Sequence, residues 1–135
     1  MSKSRRQILD TLNHTERGPV LDVGCSLGYT LRAAKELGLE CAGIDIAPFA
    51  IEACRLEGYR AEIGGLDSIP FEDRSFAIVT MKHVLEHTPD PRAALREARR
   101  VLRPKGGLFI AIPHAGYNKA TRNPLRSRFF RPDCP

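Results

Sequence analysis

Two carboxylates set at the ends of two successive apolar runs are the residues best placed to do chemistry. Asp22 lies in Val20-Leu21-Asp22-Val23, and Gly24-Cys25-Ser26-Leu27-Gly28 follows at once. Asp45 closes Cys41-Ala42-Gly43-Ile44-Asp45, 21 positions after Gly24. A short apolar run of this kind reads as a buried parallel strand. Gly24 and Gly28 permit a tight turn and a close backbone approach to a ligand, because they carry no Cβ. The helix that opens near Tyr29 aims its unpaired N–H groups at the same crevice. Together these residues describe a strand–loop–helix nucleotide site. A carboxylate such as Asp45, at this spacing, can accept from both vicinal hydroxyls of a ribose. Capping of the helix that follows it is the plainer role for the same acid.

The glycine pattern decides between nucleotides. A dinucleotide fingerprint needs G-x-G-x-x-G, yet Ser26 and Tyr29 occupy the second and third glycine positions. No G-x-x-x-x-G-K-[ST] phosphate loop occurs. Asp22 would repel a pyrophosphate at the mouth of strand one and suits a ligand that carries positive charge. A nicotinamide dehydrogenase is therefore a poor reading.

On these residues the chain resembles the class I S-adenosylmethionine-dependent methyltransferases, whose first motif has the D-x-G-x-x-x-G form of Asp22, Gly24 and Gly28. The commoner form carries a glycine where Ser26 stands. Three further blocks carry the resemblance in order: the acid-ended strand at Asp45, Val84-Leu85-Glu86-His87 with Asp90-Pro91, and Arg100-Val101-Leu102-Arg103-Pro104 with Gly106-Gly107. The match covers residues 4–113 and points to the small-molecule branch of the family. It implies a Rossmann-like three-layer αβα sandwich of the α/β class, with a parallel sheet in the order 3-2-1-4-5. It further implies S-adenosyl-L-methionine as cofactor, with Asp22, Gly24, Cys25, Ser26, Gly28, Asp45, Ile46, Gly65, Leu66 and Met81 as its contacts. The family usually has an acid after the first glycine of Gly64-Gly65, to meet the adenine amino group. Here Gly65 occupies that position, and only Asp67 is near enough in sequence to replace the acid.

Methyl transfer from a sulfonium is an in-line displacement, so the protein mainly positions the reactants and excludes water. A phenol or amine acceptor also needs a base that works near neutral pH, which histidine supplies. His83 and His87 are the catalytic candidates, with Lys82 and His114 behind them. No metal site is implied.

Composition sets the frame. The 135 residues include 21 Lys and Arg, 16 Asp and Glu, and 42% hydrophobic residues, which describes one ordinary globular domain. No apolar run is long enough to span a bilayer, and the basic first ten residues lack a secretory h-region. Cys25, Cys41, Cys54 and Cys134 show no C-x-x-C pairing, so free thiols in a reducing cytoplasm are expected. The charge is uneven: residues 1–113 hold 16 basic and 15 acidic side chains, whereas 114–135 hold five basic and one acidic. The chain divides accordingly into a cofactor-binding core (1–113) and a basic C-terminal tail (114–135).

The elements expected to position the site are a lead-in helix from Ser4 to Leu12 capped by Ser4, helices over 29–37, 47–58 and 91–102, and strands over 20–23, 41–45, 59–63 and 76–81, with a fifth after Gly107. Leu56 and Leu95 are expected on the inward faces of their helices. Only 23 residues follow Ile112, too few for the antiparallel strands six and seven of the methyltransferase sheet with their connecting helix. Those strands are expected to be missing, which leaves strand five as an open edge. The tail covers that edge, a second copy pairs with it as a homodimer, or the chain is a fragment of a longer protein. The alternative to an enzyme acting on a small-molecule acceptor is a non-catalytic module that binds S-adenosylmethionine or S-adenosylhomocysteine, or a truncated methyltransferase fragment. A nucleic-acid substrate is disfavoured, because the asparagine–proline motif of amino-group nucleic-acid methyltransferases is absent after strand four.

Overall fold

The computed structural model describes residues 1–113 together with the backbone of 127–130. Its elements are α1 (Lys3–Leu12), β1 (Val20–Val23), α2 (Tyr29–Glu36), β2 (Cys41–Asp45), α3 (Pro48–Leu56), β3 (Arg60–Ile63), β4 (Phe76–Lys82), a 3-10 turn (Leu85–His87), α4 (Pro91–Val101), β5 (Leu102–Ala111) and β6 (Ser127–Phe130). The sheet runs β3-β2-β1-β4-β5-β6. Its first five strands are parallel, in the expected 3-2-1-4-5 order. No helix of the described residues is long and apolar enough to cross a membrane.

Alternation along the strands builds the layers. Leu21 and Val23 of β1, Ala42 and Ile44 of β2, and Val79 and Met81 of β4 share one face, which Ala98 and Val101 of α4 and Ile69 and Phe71 cover. Val20 and Ile78 face the other way, against Ile8 of α1 and Ala33 and Ala34 of α2. Cys25, Leu31, Ile51, Cys54 and Ala61 close the space between α2, α3 and β3. Helices on both faces of a parallel sheet leave the ligand crevice at the carboxyl ends of the strands.

Several boundaries differ from expectation. Ser2 rather than Ser4 caps α1, accepting from the Arg5 N–H at 3.2 Å. Leu56 is 82% exposed and Leu95 is also exposed, because each sits at the margin of its helix's buried face. Entry into β5 is irregular: Phe76 pairs with Leu102 and Ile78 with Gly107, so residues 103–106 bulge out of the ladder. Gly106 is required there by space, since a Cβ would stand 2.8 Å from the Arg103 carbonyl oxygen and 3.1 Å from that of Ala77.

The larger difference is β6. It pairs antiparallel with β5, Leu108 opposite Phe130 and Ala111 opposite Ser127. Of the three outcomes set out for the strand-five edge, the first holds along these residues, where the chain's own tail pairs with it. The sheet accordingly extends past the core boundary drawn at residue 113. The paired backbone needs only unbonded N–H and C=O groups on the β5 edge, which any non-proline residue can meet. Among the described residues a single antiparallel strand stands beside β5, not a two-strand hairpin.

One side chain ties α4 to the loop before β4. Arg100 donates to the carbonyls of Ile69 and Phe71 at 2.8 and 2.9 Å and to the carboxylates of Asp73 and Glu97 at 2.8 and 2.7 Å. Glu97 also accepts from the Ile69 N–H at 2.7 Å. Removing the guanidinium orphans several half-buried acceptors at once, so Arg100→Met is expected to cost about 1–3 kcal/mol in urea unfolding. Deleting residues 127–135 bares the β5 edge, and the shortened chain should self-associate more strongly than the full chain in sedimentation velocity.

Candidate functional site

The loop between β1 and α2 is shaped by three left-handed residues in alternation, Gly24 (φ 77°), Ser26 (φ 47°) and Gly28 (φ 86°). Its path is held by the end of β2. The Ile44 carbonyl accepts from both the Gly24 and Cys25 N–H groups, at 2.8 and 2.9 Å. Gly24 is also a close approach, since a Cβ there would fall 2.3 Å from Val84 Cγ1. Ser26 adopts a conformation that costs a non-glycine residue on the order of 1 kcal/mol.

Asp45 stands where the sequence placed it, half-exposed at the end of β2. One carboxylate oxygen accepts from the Ser26 N–H at 2.9 Å and the other from the Ala47 N–H at 2.9 Å. It therefore joins the loop to the residue before α3 without capping the helix, whose N-cap is Ala47 and whose first turn receives no side-chain bond. Each carboxylate oxygen retains a second lone pair directed outward. Ile46 beside it is 74% exposed, and Leu27 and Tyr29 are exposed on the neighbouring loop.

Asp22 differs from a simple rim carboxylate. It is buried under the loop and faces α1 and α2, where the Thr80 hydroxyl donates to it. Burial raises its pKa from 3.8 to about 6, opposed by the Lys82 ammonium and by hydrogen bonds from Thr80 and Thr30. Lys82 in turn donates to Thr30 and to Ser4, the latter at 3.2 Å. This places Lys82 as a partner to the buried acid and takes it away from the acceptor side. The sequence reading missed Thr80, Thr30 and Ser4. The available signal was Thr80, a hydroxyl inside the otherwise apolar run Phe76–Met81 and in register with Asp22.

Two expected contacts are core side chains. Met81 is fully buried on the α4 face of the sheet. Cys25 is buried with its Sγ 4.0 Å from Cys54 Sγ, in space that Gly43 leaves open. Burial and the neighbouring Cys54 thiol hold Cys25 far above the usual thiol range. Cys25, Cys41 and Cys54 are free thiols, and Cys134 lies outside the described residues.

Across the crevice, Gly64 donates to the Asp45 carbonyl at 3.1 Å, and Gly65 bridges to Ser68. Leu66 packs on the core beside it. A Cβ at Gly65 would stand 3.2 Å from Asp67 Oδ1, so the Asp67 carboxylate is folded back beside that position. His83 is exposed with φ 56°, held by its N–H on the Ala111 carbonyl at 2.7 Å. His87 is exposed on the 3-10 turn, with Nε2 3.9 Å from the Glu86 carboxylate. His114 lies outside the described residues.

The folded state holds the Asp22 proton more tightly than the unfolded chain does. Stability therefore falls as pH rises through the interval between 3.8 and about 6, and the penalty is complete above it. At 1.36 kcal/mol per pKa unit this amounts to roughly 3 kcal/mol. Asp22→Asn keeps an acceptor for Thr80 without the charge. Denaturant midpoints should show the variant gaining on the parent at neutral pH, by up to roughly 3 kcal/mol, with the gain fading near pH ~4.

The sequence pattern of the family described as "Methyltransferase domain" matches residues 21–110. A ubiquinone biosynthesis O-methyltransferase from Xanthomonas oryzae is 35% identical over 99 residues, covering 68% of this chain and 41% of the relative. An uncharacterized methyltransferase, YcgJ, from Bacillus subtilis is 34% identical over 102 residues, covering 70% of this chain and 40% of the relative. The crystal structure of that Bacillus protein superposes with a TM-score of 0.72 at 29% identity, covering 83% of this chain and 51% of the other. An S-adenosylmethionine-dependent methyltransferase from Methanosarcina mazei superposes with a TM-score of 0.68 at 25% identity, covering 77% of this chain and 55% of the other. The chain thus spans about two fifths of the sequence relatives it matches.

Proposed function

The chain belongs to the methyltransferase domain family, and on that premise we propose that it binds S-adenosyl-L-methionine at the carboxyl ends of β1 and β2 and transfers its methyl group to a small-molecule acceptor. The observation that carries this reading is the coupling of Asp45 to the Gly24–Gly28 loop through the Ser26 N–H. It leaves a carboxylate oriented by two amides, with outward lone pairs, beside a loop whose glycines admit a ligand backbone closely.

When bound, the cofactor supplies a methyl group already activated on a cationic sulfur. Asp45 accepts from the ribose hydroxyls. The loop backbone of Gly24, Ser26 and Gly28 lies along the methionine part, and the buried Asp22 lends negative potential beneath it. Ile46 and Leu66 offer apolar faces to the adenine ring. Asp67, folded back over Gly65, accepts from the adenine amino group in place of the acid that position 65 lacks. Contacts at positions 25 and 81 fall to the backbone, since both side chains are core. The acceptor would lie toward the ends of β4 and β5, the side on which His83 and His87 are exposed. Either imidazole is suited to take the acceptor's proton near neutral pH. The O-methyltransferase relative supports a hydroxyl acceptor.

A second reading, a cofactor-binding module without acceptor chemistry of its own, is favoured by the exposed setting of both His83 and His87. Transfer of labelled methyl to any acceptor excludes it. Calorimetric titration with S-adenosylmethionine separates both readings from a degenerate site. Micromolar binding is expected for the parent chain. Asp45→Asn, which keeps one acceptor oxygen, should weaken it by about tenfold or more while the chain still melts cooperatively. Equal binding by the variant would remove Asp45 from the site.

A further inference from the structure

At the amino-terminal end of the sheet, opposite the crevice, a groove of about 460 Å³ is lined by Arg74, Arg96, Arg99, Arg100 and Arg103, with Asp73 as the only acid among the described residues. Arg100 is spoken for by Glu97, Asp73 and two carbonyls. The other four guanidinium groups have no hydrogen bond or ion pair among the described residues. Two other surface arginines are paired, Arg32 with Glu57 and Arg55 with Glu62. Four such guanidinium groups around one concavity repel one another, a cost that a bound anion would relieve.

The backbone delivers these side chains deliberately. Residues 103–106 bulge out of the β5 ladder and carry Arg103 to the groove. Its Nη1 lies beside Gly18, 3.0 Å from where a Cβ would stand, so the side chain borders both this groove and the neighbouring cavity lined by Pro19 and Ser75. Arg74 is held at φ 56°, its N–H on the Arg100 carbonyl at 2.9 Å. A left-handed non-glycine residue persists only where its surroundings fix it, and such residues gather at ligand sites. Arg96 and Arg99 project from the last two turns of α4, whose carboxyl end favours cations.

We propose that this groove binds a small anion carrying two or more linked phosphate groups. Planar guanidinium forks match phosphate oxygens in pairs, and several forks on one wall call for several phosphates in a short span. The volume lies in the range of small-ligand sites, about 300–1,000 Å³. Among the described residues no aromatic side chain lines it, so recognition rests on the phosphates rather than on a stacked base. The site is separate from the crevice, and the proposal stands or falls independently of methyl transfer.

The test is calorimetric titration of the full chain with inorganic tripolyphosphate at low salt, with orthophosphate and a single-stranded RNA oligonucleotide as further arms. Tripolyphosphate should bind at one site per chain, and orthophosphate at least about tenfold more weakly. The double variant Arg96→Gln/Arg99→Gln should lose about tenfold or more in tripolyphosphate affinity, with its melting temperature kept. Arg92→Gln, on the same helix but outside the groove, should stay within about twofold. Absence of tripolyphosphate binding, or an Arg92→Gln loss equal to that of the double variant, overturns the proposal. Oligonucleotide binding that outcompetes tripolyphosphate and is lost in the double variant also overturns it, in favour of a nucleic-acid backbone.

Discussion

The end of β2 governs this molecule. The Ile44 carbonyl accepts two successive N–H groups of the loop after β1, and the next residue, Asp45, accepts a third from Ser26 and a fourth from Ala47. Four backbone donors from two loops thus converge on two consecutive residues. The Gly24, Cys25 and Ala47 donors would otherwise be buried or half-buried without partners, at about 1–3 kcal/mol each, whereas Ser26 is exposed. The loop can keep its three left-handed residues because these bonds over-determine its path. Gly43 serves the same end, since its missing side chain is the space that Cys25 fills beneath the loop.

A second constraint lies one layer down. Asp22 is buried in the centre of the sheet, where a bare carboxylate is unfavourable. Thr80, Thr30 and Lys82 answer it with hydroxyl donors and a cation. The result is a polar thread between sheet and helices that links β1 and β4 to α1 and α2. The same thread explains why the lysine at the end of β4 is a supporting residue, whereas the neighbouring His83 reaches the surface.

Much of this was legible in the sequence, and the reason is local. β1 and β2 are short apolar runs bounded by glycine, proline or charge, so the expected limits of 20–23 and 41–45 match the strands. The position of Asp45 was legible because it depends on the spacing of a βαβ unit. What eluded the reading depends on distant parts of the chain. Thr80 becomes polar support only through register with Asp22, and Met81 is core because α4 covers its face. Ser2 outcompetes Ser4 as a cap by a shift of two residues that propensity does not resolve. β6 lies in a basic stretch without strand alternation. Neither pattern nor composition announces its pairing with β5.

The two ends of the sheet therefore differ in kind. The carboxyl end gathers oriented carboxylates, glycines and exposed apolar side chains, and the amino end gathers unpaired arginines. The account's central claim is that the β2 terminus and the loop it holds form a cofactor site. The most direct measurement is a titration of the isotope-labelled chain with S-adenosylhomocysteine, followed by amide NMR. The account predicts saturable shifts concentrated at residues 22–28, 45–47 and 64–67, with residues 96–103 undisturbed. A folded chain whose amides at Gly24, Ser26 and Ala47 do not respond at saturating ligand would contradict it.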